Sequence, residues 1–174
     1  MNKYKEYTGF RKDNEALLSL LKKNNSAIYD YFLDGFKILG HIELLSDRGE
    51  VDRDLEEIFD SVFPFVYSQF ELIKAWYFNN LDRNYDKMRK YEKLLVYYLF
   101  IEDLLMALEE EKKYSKYLPK VEAIQDELGD LIDKQKPTSG ALDYFNNELE
   151  EIAIKDRPLT LNEIIGYICD ELNL

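Results

Sequence analysis

The sequence predicts an all-α fold, and three observations carry the prediction. Breakers are scarce, with 7 Gly and 4 Pro in 174 residues, against a background of Leu, Glu, Lys and Ile that favours helix. Apolar residues recur at helical spacing through most of the chain. No segment alternates apolar and polar residues as a half-buried strand would. Hydrophobic residues make up 46% and aromatics 14%, enough for a sizeable core without disulfides or metals. No Gly/Ser-rich or Pro-rich linker and no internal repeat divides the chain. Residues 1–174 therefore read as one domain, a bundle of about six or seven helices around a central apolar helix at about 84–113.

In chain order, a first helix is expected from near Asp13, carrying Leu17, Leu18, Leu20 and Leu21. Ser26 is placed to cap the second, where Ile28, Tyr31, Phe32, Leu39 and Ile42 recur at helical spacing. A third opens among Asp52, Asp54, Glu56 and Glu57, acids that suit the positive end of the helix dipole. Pro64 should kink or split it, because the ring removes a hydrogen bond to the preceding turn. The fourth is apolar nearly all round from Leu94 to Leu108, the pattern of a helix in the middle of a bundle. Pro119 suits the first turn of a fifth helix at about 118–135. A sixth follows Ser139, using Leu142, Phe145, Leu149 and Ile152. Thr160-Leu161-Asn162-Glu163 has the form of a capping box, and Ile164, Ile165, Ile168, Cys169 and Leu172 then pack inward.

Composition narrows the function classes. A single cysteine, Cys169, permits no disulfide within the chain and suits a reducing compartment. The start, Met1 to Glu6, lacks a signal-peptide core, and the greasiest run, Leu94–Ile101, is far short of the roughly 20 residues of a membrane span. A cytoplasmic protein without membrane contact is the expectation, and the wealth of Lys, Asn, Ile and Tyr suits an AT-rich bacterial or phage source. Net charge is −12, and it is unevenly spread. Residues 26–86 hold five bases and thirteen acids, and residues 121–174 hold four and thirteen, whereas 1–25 and 87–120 are mildly basic. Two acidic quarters argue against direct binding to nucleic-acid phosphates and favour a basic protein partner.

Catalytic constellations are sparse, and no cofactor is expected. The chain has no phosphate-binding Gly loop, and one Cys with one His excludes the usual zinc clusters. The sole histidine, His41, has Ile38 three residues before it, so the paired Glu-x-x-His of di-iron bundles is missing. His41 shares a helix side with Asp30, Asp34 and Lys37 and reads as a solvated residue. Cys169 lies on an apolar face beside Asp170 and Glu171 and reads as a buried, unreactive thiol. Glu102 and Asp103 interrupt the central helix. A buried carboxylate there needs a partner, and a Tyr hydroxyl, Lys or Arg from a neighbouring helix is expected, a ligand site in the core being the alternative.

Glu127-Leu128-Gly129-Asp130-Leu131 resembles half of the metal motif of all-α nucleotide pyrophosphohydrolases of the MazG type. Those enzymes pair E-x-x-D with an upstream E-x-x-E, because several carboxylates must hold Mg²⁺ against substrate phosphates. The resemblance implies Mg²⁺-dependent chemistry at Glu127 and Asp130, with Glu102 as a further candidate. It covers five residues, and the upstream half is missing, since Glu109, Glu110 and Glu111 are followed three residues later by Lys112, Lys113 and Tyr114.

The fifth helix carries the clearest surface signal. Val121, Ile124, Leu128 and Leu131 mark one side, and Glu122, Asp126, Asp130 and Asp133 line the other at spacings that put neighbours roughly 6 Å apart. Asp52, Asp54, Glu56 and Glu57 form a second stretch, and Asp143 to Asp156 a third. Together they predict a non-enzymatic binding protein that occludes the cationic site of a basic partner such as a nuclease, in the manner of an immunity protein, an antitoxin or a phage-type nucleic-acid mimic. The alternative is a scaffold or regulator that takes a partner helix into an aromatic groove around Trp76, Tyr77, Phe78, Tyr97 and Tyr98.

Overall fold

Among the described residues the fold comprises seven α-helices and no strand. They are α1 (Lys3–Asn24), α2 (Ser26–Asp47), α3 (Arg53–Ala75), α4 (Tyr85–Glu109), α5 (Leu118–Asp133), α6 (Ala141–Glu151) and α7 (Leu161–Glu171). The structure is a computed structural model and describes residues 2–136, 140–151, 154 and 156–174. A π-helical turn, Trp76–Asn80, follows α3, and a 3₁₀ stretch, Lys112–Tyr117, precedes α5. Ser139 and Ile152, which the sequence attaches to the sixth helix, lie outside the described residues. Among the described residues no helix is long and apolar enough to cross a membrane.

The fourth helix is central, as its pattern predicts. Met88, Tyr91, Leu94, Leu95, Tyr97, Leu99, Ile101, Leu104, Leu105 and Leu108 of α4 are all buried. It ends at Glu109, four residues sooner than expected. The chain then tightens so that Tyr114 turns into the core, where its hydroxyl donates to the carbonyl of Asp156.

Three other elements depart from expectation. Helix α1 begins ten residues before Asp13: the Asn2 side chain accepts from the Tyr4 amide, and Tyr7 and Phe10 extend the buried face onto Phe59, Phe63 and Phe70 of α3. Ser26 does not cap α2 but is its first residue. The free Ala27 and Ile28 amides donate instead to Oε1 of Glu92 on α4, at 2.9 and 3.2 Å. Pro64 does not split α3, which runs unbroken from Arg53 to Ala75. The ring sits on the exposed side, where water can meet the carbonyl of Asp60 that it leaves without a donor. The last helix agrees in detail: Thr160 Oγ1 accepts from the Glu163 amide while Glu163 accepts from the Thr160 amide.

Helices α2 and α3 approach closely at Gly35. A Cβ there would stand 2.7 Å from Cγ2 of Val66, a buried β-branched side chain with little freedom to yield. Gly35→Ala is therefore expected to cost about 1–3 kcal/mol, the usual range for overpacking. Gly40→Ala on the same helix meets nothing within 4 Å and should stabilise the protein, by about 0.5–1 kcal/mol. Denaturant midpoints of the two variants check the pair. Equal shifts would contradict the close approach.

Candidate functional site

Helix α5 positions the acidic row. Val121, Ile124, Leu128 and Ile132 are buried against the bundle, which turns Glu122, Asp126, Asp130 and Asp133 outward, all exposed. Ile132 takes the core place expected of Leu131, which is half-buried. The helix lies along α4 in fixed register. The Gln125 amide donates to Oε2 of Glu102, and Gly129 leaves space for the Tyr98 ring, whose Cε2 would stand 3.4 Å from a Cβ there.

The row keeps most of its charge. Asp130 has a distant partner in Lys134, at 3.6 Å, but none of Glu122, Asp126 and Asp133 pairs with a lysine or arginine among the described residues. Asp133 instead accepts a hydrogen bond from the Asn80 amide. Burial, followed by the charges of Glu102, Asp126 and Asp133, raises the Tyr98 phenol above its ordinary range. Tyr98, half-buried, and Asp133 border the same groove. On the other flank of α5, Glu127 joins Glu148 and Glu151 of α6 and Lys120 around a cleft of about 180 Å³. The charges of Glu127 and Glu148 raise the Tyr144 phenol beside it.

The second predicted stretch is arranged differently. Asp52 is the N-cap of α3 and accepts from the Leu55 amide at 2.9 Å, while Asp54 is exposed. Glu56 pairs with Lys3 at 2.8 Å, and Glu57 with Arg53 at 3.2 Å. Pairs this exposed add little stability, and Lys3 is shared with Asp60, also at 2.8 Å, but the two bases stand directly against the acids of this stretch. Asp133 stands near the opposite end of α3, in a groove with Ala75 and Trp76. The 23 residues of α3 put about 35 Å between its two ends.

The interrupting carboxylates of α4 are structural in their contacts. Asp103 is 1% exposed, and among the described residues it binds neither a Tyr hydroxyl, a Lys nor an Arg. Its two oxygens accept from the Leu161 and Asn162 amides, each at 2.9 Å, at the first turn of α7. Burial raises its carboxyl above the ordinary range, and those two amides pull it back. Glu163, on the same turn, is held down to about 2, chiefly by the Arg157 guanidinium. Cys169 is buried as expected, and burial together with Asp34 raises its thiol, the opposite of what a reactive thiolate needs. His41 is half-buried on α2.

The carboxylates singled out for metal chemistry are scattered. Glu102 faces Gln125, Glu127 faces α6, and Asp130 faces Lys134. Among the described residues no group of three or more His, Cys, Asp or Glu side chains could hold a metal ion. The aromatic residues expected around a groove are mostly core. Trp76, Tyr77 and Tyr97 are buried, and only Phe78 and Tyr98 reach the surface. Two concavities were not foreseen. One, of about 470 Å³, lies between α3, the π turn and Tyr98; the other, of about 460 Å³, lies between α3 and α7. Each joins residues remote in the chain, so neither leaves a local signature.

No protein-family model matches the chain, and neither a curated protein nor a solved structure matches it.

The Asp103 contact yields a direct test. Asp103→Ala would strip two buried helix-terminal amides of their acceptor, and a loss of about 3 kcal/mol is expected. Asp103→Asn, which keeps one acceptor oxygen, should lose less. Hydrogen exchange should quicken first in α7 and leave α1 protected; uniform quickening would show that the contact does not hold α7 specifically.

Proposed function

We propose that this protein is a non-enzymatic binding protein that captures a basic partner on the outer face of α5 and blocks the cationic site presented to it. The observation that carries the reading is the missing counter-charge. Glu122, Asp126 and Asp133 stand exposed on one helix face with no lysine or arginine partner among the described residues, and Glu102 adds a half-buried carboxylate bonded to Gln125 of the same helix. Surface acids are ordinarily interspersed with bases, and an uncompensated row costs stability through its own repulsion. The row is also fixed in place. Helix α5 is packed along its length, so its carboxylates reach a partner with little ordering left to do. A rigid line of charges roughly 6 Å apart offers a cationic cleft what a run of phosphates would offer it. An inhibitor of a nuclease or another nucleic-acid-binding protein is the functional class this chemistry fits.

A second reading has an observation of its own. The groove between α3 and α7 is lined by Ile58, Val62, Leu161, Ile164 and Ile168, with Asp54 and Glu57 on its rim. Its apolar floor and acidic edge suit an amphipathic helix with a basic flank. A partner held there would be indifferent to changes on α5.

The test uses a labelled deca-lysine peptide as a defined cation. Replacing Glu122, Asp126, Asp130 and Asp133 together by their amides removes four exposed charges, each worth about 0.2–1 kcal/mol. The dissociation constant should rise about tenfold or more. The corresponding change of three acids, Asp54, Glu56 and Glu57, should raise it by less than about threefold, since Glu56 and Glu57 already lie against Lys3 and Arg53. An equal loss in both variants, or none in the first, would reject the α5 face.

A further inference from the structure

The concavity beside Asp133 has a composition that the acidic row alone does not explain. Trp76 and Tyr98 meet edge to face, their ring centroids 6.0 Å apart, and both border the groove. Trp76 is 9% exposed and lines the groove. Two carboxylates flank the rings. Glu71 gives one oxygen to Lys74 at 3.2 Å, and Asp133 gives one to Asn80. The second oxygen of each has no donor among the described residues. Leu72 and Ala75 supply an apolar wall. The π turn widens the backbone here and sets Trp76, Asn79 and Asn80 on the rim, and π turns recur at functional sites.

We infer that this groove receives an arginine side chain of the basic partner, an assignment that rests on the acidic-face reading of α5 and specifies its anchor. Three features of the groove match three of arginine. Its planar guanidinium can lie on an aromatic face, here Tyr98, which a carboxylate rim makes still more attractive to a cation. Its fork of N–H groups can pair with the open oxygen of Asp133, with Glu71 on the same groove adding negative charge. Its three methylenes need an apolar wall, which Leu72 and Ala75 provide. Lysine offers a point charge without the plane or the fork, so the groove discriminates between the two bases where the open face of α5 does not.

The chain's only tryptophan is Trp76, so its emission reports events in the groove. The full chain is titrated with labelled hexa-arginine and hexa-lysine peptides while peptide anisotropy and tryptophan emission are followed together. Hexa-arginine should bind about fivefold more tightly, the scale of one exposed cation–π contact with its paired carboxylate, and should change the emission at the same concentration. Asp133→Asn, an exposed change that spares the core, and Tyr98→Ala should each remove the preference, while Tyr98→Phe, which keeps the ring, retains it. Equal binding of the two peptides overturns the arginine assignment. So does silent tryptophan emission during binding that α5 neutralisation still weakens, and that result leaves the acidic-face reading standing. Failure of both peptides to bind overturns both.

Discussion

Helix α4 lies in the middle of the bundle, buried or half-buried at every position from Leu94 to Leu105. A polar group there must be met from within the protein, and the helix exchanges hydrogen bonds with its neighbours along its whole length. Every other helix supplies or takes one of those bonds. Arg89 donates to the last carbonyl of α1, at Asn24, and Glu92 accepts from the first free amides of α2. The carbonyl of Leu99 accepts from Gln69 of α3, and Glu102 accepts from Gln125 of α5. The Tyr97 hydroxyl donates to Phe145 on α6, and Asp103 holds the first turn of α7. Apolar packing supplies the driving force, but it is not directional, and these contacts fix register. Asp103 illustrates the balance. Its ionised form is disfavoured by burial, and the two amides of α7 together with the Thr160 hydroxyl offset that cost, so carboxylate and helix terminus depend on each other.

The same constraint shapes the surface. Because α5 is held against α4 through Gln125 and the Tyr98–Gly129 contact, the opposite side of α5 is committed to solvent along its length. Its carboxylates are thereby aligned by the core, without the cross-helix ion pairs that bind Glu56 and Asp60 to Lys3. Two runs of similar composition thus differ in character. The start of α3 uses its acids locally, as a cap and as partners for nearby bases; the face of α5 leaves them unspent. That difference, more than the total of −12, is what the proposed docking surface rests on.

Much of this architecture was legible in the sequence, where the signal is local. The apolar run of α4, the capping box at Thr160 and the outward row on α5 all depend on spacings of three or four residues, which one helix expresses by itself. What escaped was tertiary. The start of α1 hid because Tyr4, Tyr7 and Phe10 are spread among charged residues, and only the aromatic face of α3 shows what they are for. Ser26 looked like a cap because nothing near it reveals that Glu92, 65 residues from Ala27, performs that task. Asp103 was recognised as needing a partner, yet that partner proved to be backbone, which has no letter in a sequence. The groove at Trp76 joins α3, α4 and α5, and no window of the chain contains it.

If the face of α5 acts as an uncompensated electrostatic unit, its attraction for cations must be screened by salt as exposed charges are. The direct measurement is the affinity of the intact protein for deca-lysine across a series of ionic strengths. Affinity falling about tenfold or more between roughly 50 and 200 mM salt is the result this account requires. Affinity that stays constant over that range would place the binding energy elsewhere and contradict it.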